Sequence, residues 1–234
     1  MPELPPPLPP GERTVGQLVG ETIRAYGDRF WPSLLLGIPL AAATQVSLGL
    51  SADAQTLVLL AFTPLIAAAY VRACQLVHGA RPTVPAYACA VLVFLPVPLL
   101  VRVFVLPAVG WLALFGLAVP AAMVERLGFR NALARGRRLG TADFVHALGS
   151  LAALVIVVVI SSYVLFVLLR SQGDNGQRVA HALADLVLSP MLYLGGALLY
   201  VDQAARVVGF RGDGALHPPV DPEPARGSDA QIES

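Results

Sequence analysis

The chain has 234 residues, 56% hydrophobic and only 13% charged, with a formal net charge of +1 and a mean hydropathy of +0.69. Soluble domains hold about 45–50% apolar and ~25% charged residues, so an ordinary soluble domain is excluded. The near-zero net charge gives no bulk field that would favour nucleic acid or acidic substrates.

The apolar residues are gathered into long uncharged runs. About 20 residues at 1.5 Å each cross the ~30 Å hydrocarbon layer of a bilayer, so each run reads as a membrane helix. Ahead of them, residues 1–13 contain six prolines and read as a disordered, extended tail that cannot build a core. This start lacks the charged n-region of a signal peptide, so no cleavage is expected. Residues 14–30 read as an amphipathic interfacial helix. Thr14 and Gln17 form a capping box. Val15, Val19, Ile23, Tyr26 and Phe30 fall on one stripe, and Glu21, Arg24, Asp28 and Arg29 fill the other side.

Spans are predicted at about 31–50, 56–77, 86–105, 107–125, 148–169 and 179–200. Residues 86–125 form one unbroken apolar stretch, about twice a bilayer thickness at helical rise, and must fold back as a hairpin. Pro107 is the leading position for the break, with Pro96 and Pro98 as competitors. Residues 126–146 form a basic link with a second amphipathic pattern: Phe129, Ala132, Leu133 and Gly136 share a face, and Arg130, Arg135, Arg137 and Arg138 surround it. A polar turn is predicted over 170–178, and a disordered tail over 212–234. The membrane domain therefore covers 14–211, and the fold class is all-α, a polytopic helix bundle with about six transmembrane helices and cytoplasmic interfacial helices.

All sixteen basic residues are arginine. Thirteen fall in the N-terminal region, at Arg72, in the links at 78–85 and 126–146, and in the C-terminal region. Three (Arg102, Arg170 and Arg178) fall on the other side. The arginine-rich side is expected to be cytoplasmic, with both termini there, in a plasma (inner) membrane.

No nucleotide loop, dinucleotide glycine pattern, HExxH or GxSxG is present. The histidines at 78, 146, 181 and 217 are scattered, whereas a catalytic metal site needs about three clustered ligands. No cofactor is expected. Cys74 and Cys89 read as packing residues. Ionisable groups within spans are the candidates for function. Arg72 reads as an interfacial anchor or as a partner for Asp202, and Asp202 and Arg206 sit four apart on one helix face. Arg102 reads as the outer end of a hairpin. Arg178, His181 and Asp185 share a face at the start of the sixth span, where His181 and Asp185 could pair. Prolines in the spans free carbonyls that neighbours or water must satisfy.

Three stretches together carry a resemblance. They are Thr14-Val15-Gly16-Gln17 with Glu21, Thr22, Tyr26, Phe30 and Trp31; Val124-Glu125 with Asn131-Ala132-Leu133, Gly136-Arg137-Arg138-Leu139 and Phe144; and Leu198-Leu199-Tyr200-Val201-Asp202 with Ala205-Arg206, after Pro190. The pattern resembles bacterial integral membrane proteins related to the membrane domain of glycerophosphoryl diester phosphodiesterases. The resemblance implies a six-span helical fold but no phosphodiesterase activity, since that soluble catalytic barrel has no stretch here to build it. Gln203 and Ala204 depart from the Leu–Arg pair common at this point. The expected function is a non-enzymatic scaffold, accessory or regulatory membrane component. It would act through membrane lipids, a protein partner or a second copy of itself. The alternative is a small-solute transporter or lipid-handling protein, which needs a polar path lined by residues such as Gln45, Arg72, Ser161, Ser162 and Asp202.

Overall fold

The computed structural model describes residues 9–169 and 173–215, and every regular element among them is helical. Residues 1–8, 170–172 and 216–234, which hold most of both predicted tails and the start of the predicted polar turn, lie outside the described residues.

The chain opens with α1 (Val15–Asp28), capped as predicted: Thr14 accepts from the Gln17 backbone, and the Gln17 side chain accepts from the Thr14 backbone. A short α2 (Phe30–Leu34), a 3-10 turn (Leu35–Gly37) and α3 (Ile38–Ser47) together make the first span, Phe30–Ser47. The second is α4 (Ala52–His78). The third, Val84–Val103, is bent into α5 (Val84–Phe94) and α6 (Val97–Val103), and the fourth, Val105–Val124, into α7 (Val105–Phe115) and α8 (Ala118–Val124). Then come α9 (Phe129–Ala142), α10 (Phe144–Leu169), which is the fifth span, and α11 (Gly173–Ala215), which contains the sixth, Gly176–Val207. Six helical stretches are thus long and apolar enough to cross a membrane.

The break between the third and fourth spans falls at Phe104, which is extended, rather than at Pro107. Pro107 is the third residue of α7. The first four N–H groups of a helix have no partner within it, so a proline there removes nothing. Pro96 and Pro98 do not end the third span either; they bend it between α5 and α6. The predicted turn at 170–178 is helical from Gly173 on, and α11 runs three residues past 212. Polar composition lowers helix propensity only slightly and does not end a helix without a breaker.

α11 is the hub of the bundle: α1, α3, α4, α8, α9 and α10 all pack on it. The N-terminal run lies antiparallel along it, with Gly11 near Asp202, Gly37 on Leu186 and the Gln45 side chain bonded to the Arg178 carbonyl. The contact at Gly37 has a specific cause. Pro190 carries no N–H, so the Leu186 carbonyl four residues earlier loses its helical partner. Gly37 closes on that carbonyl; a Cβ there would lie 2.3 Å from its oxygen.

These contacts sort the ends of the helices. Residues 11–14, His78, Glu125, Asp143 and Asp202 gather at one end, here termed proximal. Asp53, Arg102 and Arg178 lie at the distal end, where Arg102 pairs with Asp53 at the tip of the third span, as expected of a hairpin end.

Helix α1 half-buries Val15, Val19 and Tyr26 of its predicted stripe. Leu18 and Thr22 are fully buried, while Ile23 and Phe30 are exposed. The helix packs on both α10 and α11, and Leu18 joins a core with Leu117, Leu139, Leu154 and Leu199. Thr22 tolerates this burial because its hydroxyl donates to the Leu18 carbonyl (2.8 Å). In α9 the buried face is Ala132, Gly136, Leu139 and Gly140, turned slightly from the prediction, which leaves Phe129 38% exposed. Gly136 lies against the backbone of Ala118, so α9 folds back tightly along α8. Cys74 and Cys89 are both free and buried in the second core.

Candidate functional site

The densest charged cluster among the described residues is at the proximal end. Asp202 is fully buried. Its Oδ1 accepts the Gly11 N–H (2.9 Å), and its Oδ2 accepts from Arg206 Nε (3.1 Å) and lies 2.8 Å from His146 Nε2. Arg206 continues outward: Nη1 donates to Asp143 Oδ2 (3.0 Å) and Nη2 to the Arg13 carbonyl (3.0 Å). Asp143 in turn caps α10 by accepting the His146 N–H (3.1 Å), and Arg13 pairs with Glu21 on α1 (3.0 Å). One buried carboxylate and one guanidinium thereby join the N-terminal segment, the α9–α10 junction and α11. A second array lies beside it. The Tyr200 hydroxyl donates to Glu125 Oε1 (2.9 Å), Arg135 Nε donates to both Glu125 oxygens (2.8 and 3.1 Å), and the His78 ring stands edge-on to Tyr200.

The chemistry of this cluster is cohesive. Ser150 Oγ lies 3.5 Å from His146, which suggests a Ser-His-Asp arrangement. In a working triad the two ring nitrogens face the serine and the acid separately. Here the same Nε2 faces both Ser150 and Asp202, and Ser150 is completely buried. No group of three His, Cys, Asp or Glu side chains among the described residues could hold a metal ion.

The structure distributes the predicted site residues unevenly. The Asp202–Arg206 pair forms as its i,i+4 spacing indicates. Arg72 does not reach Asp202: it is exposed and donates to Gln75 one turn along. Arg178 and His181 are exposed, and Asp185 is partly buried. Among the described residues His181 and Asp185 form no salt bridge; His181 stacks near Phe166 (5.7 Å) and Asp185 faces Thr44 on α3. The trio therefore lies along the distal part of the sixth span without a direct His181–Asp185 ion pair among the described residues. Arg130, Arg137 and Arg138 line the exposed face of α9, while Arg135 is spent on Glu125. Sequence reasoning missed Asp143, His146 and Arg13. Asp143 stood three residues before His146, the spacing of a helix cap, and that signal could have placed it at the start of α10. Residues 9–13 were assigned to the tail, yet Gly11 and Arg13 are bound to α11. On α1, outside the spans, burial pushes the Tyr26 phenol above its ordinary pKa, and its hydroxyl has no partner among the described residues.

Between the spans lies a cavity of about 320 Å³. All six spans line it, for example through Leu40, Thr63, Val101, Leu112, Val155 and Tyr193. Gln45, Arg72, Ser161, Ser162 and Asp202 do not line it. No protein-family model matches the chain, and no curated protein or solved structure is significantly similar to it.

Proposed function

We propose that this chain is a non-enzymatic integral membrane protein, a scaffold, accessory or regulatory component that acts through lipids or a protein partner. The observation that carries the reading is the placement of charge. The fully buried Asp202 pairs with Arg206 and His146, and Arg206 with Asp143, at one end of the bundle. The polar residues a solute path would need are scattered: Gln45 is distal, Arg72 is on the outside, and Asp202 is sealed in its network.

Orientation follows from arginine placement. The proximal end, with thirteen of the sixteen arginines on its side, faces the cytoplasm of a bacterial plasma membrane, and both termini lie there. The exposed Arg130, Arg137 and Arg138 of α9 then meet the anionic inner leaflet, each contributing on the order of 1 kcal/mol of attraction. The resemblance to phosphodiesterase-associated membrane domains rests on three stretches that are neighbours in the fold. Its second and third stretches meet through Tyr200 and Glu125, and its first packs on the third through α1 and α11.

The test is affinity purification from the native host in mild detergent, with mass spectrometry of bound proteins and lipids. A stoichiometric partner protein is the expected result; a lone protein carrying one enriched lipid would favour the lipid-handling alternative. Solute flux into reconstituted liposomes, abolished by Asp202→Asn, would overturn the reading in favour of transport.

A further inference from the structure

We infer that the central cavity is a binding site for one hydrocarbon chain, supplied by a phospholipid tail or a free fatty acid. The inference rests on the reading that the protein works through lipids, and it names the place where lipid is held.

The lining decides the chemistry of the occupant. It contains no ionisable carboxylate, amine or guanidinium, and its side-chain polarity is limited to the hydroxyls of Thr63, Tyr70 and Tyr193. Two of these are engaged: Thr63 donates to the Leu59 carbonyl (3.1 Å) and Tyr70 to the Gly116 carbonyl (3.1 Å). A polar solute would shed its water there without recovering hydrogen bonds, at a cost of several kcal/mol per group. A hydrocarbon chain has no hydrogen bonds to lose by entering. An apolar cavity of about 150 Å³ already stays dry and takes up benzene. This one is about 320 Å³, within the ~300–1,000 Å³ range of ligand pockets.

The cavity is also a product of the helix breaks. Span three bends between Phe94 and Val97, and span four between Phe115 and Ala118. Phe94, Val97, Pro98, Gly116 and Leu117 all face the cavity. Straight helices at these positions would be free to close on one another, as close-packed interiors do. The bent ones hold space open, and Tyr70 fixes one bend by bonding Gly116 across the bundle.

The test uses the full chain in vesicles of phosphatidylethanolamine and phosphatidylglycerol, with two photoactivatable probes. One is a phospholipid and the other a fatty acid, each carrying a diazirine at mid-chain, and adducts are mapped by peptide mass spectrometry. Adducts are expected on the Thr63 and Tyr193 segments, competed away by excess unlabelled probe. Label from one probe alone identifies the source of the chain. Val155→Phe fills the cavity from α10. The added ring takes up the space of the chain, so adducts on the Thr63 and Tyr193 segments should be largely lost. Val159→Phe, one turn further on at a position 57% exposed, should leave them unchanged. If Val155→Phe does not purify as a single species, Leu112→Phe fills the cavity from α7, and competition in the unaltered chain needs no variant. Adducts confined to exposed residues such as Val159 and Ile160, or cavity adducts that neither competition nor filling reduces, would overturn the inference. Loss of the partner in the purification leaves this labelling unaffected, so the two readings fail separately.

Discussion

The Gly116 carbonyl has no donor within its own helix, because the residue four positions on is Pro120. Tyr70, from another span, supplies the missing hydroxyl. Removing that donor leaves a buried acceptor unsatisfied, which costs about 1–3 kcal/mol. Tyr70→Phe should therefore lower unfolding stability in detergent by that amount. Pro120→Ala restores an N–H to the carbonyl, so the double variant should recover part of the loss; an additive double variant would remove this account of Tyr70. At Asp202 the argument is electrostatic. A fully buried carboxylate bound by Arg206, His146 and the Gly11 amide leaves stranded partners when truncated. Breaking one side of such a pair costs about 3–5 kcal/mol. Asp202→Ala should lose stability on that scale, and hydrogen exchange at residues 11–14 should speed up because their anchor is gone. An unchanged exchange rate there would mean the segment is held by other contacts.

At the scale of elements, the packing depends on close approach rather than on amphipathic stripes. The N-terminal run can lie along α11 because Gly37 meets the Leu186 carbonyl and Gly136 lets α9 fold onto α8. Overpacking such a contact costs about 1–3 kcal/mol. Gly37→Ala should therefore destabilise, whereas Gly110→Ala, inside α7 where a Cβ meets open space, should stabilise by about 0.4–1 kcal/mol. Equal melting temperatures for the two variants would contradict the packing. On α1 the bundle covers the predicted stripe only in part: Val15, Val19 and Tyr26 are half-buried, and Ile23 and Phe30 are exposed. Periodicity states that a helix has a preferred face, but α1 is embraced by two neighbours, and they selected Leu18 and Thr22. The hairpin break moved from Pro107 to Phe104 because a proline near a helix start breaks nothing.

At the scale of the whole molecule, six spans require the α9 link and the residues near 173 to lie on opposite sides of the membrane. Reporters inserted after residues 135 and 174 should read opposite sides, with residue 135 in the cytoplasm; the same side for both would refute the six-span arrangement. The bundle is tied at its proximal end by ion pairs, and an apolar cavity lies between its spans.

The sequence by itself determined an all-α chain with six helices long and apolar enough to cross a membrane. Long uncharged runs have one stable solution in a bilayer, a helix that satisfies its own backbone, and this is a local property. It also placed the Asp202–Arg206 pair, since four residues on a helix bring two side chains together. Only the tertiary structure decided that Asp143, His146 and the Gly11 amide complete that pair, and that bent spans leave a cavity between them. Those partners lie from about 60 to more than 190 positions apart along the chain. Which helix packs on which brings them together, and no local pattern in the chain encodes that choice.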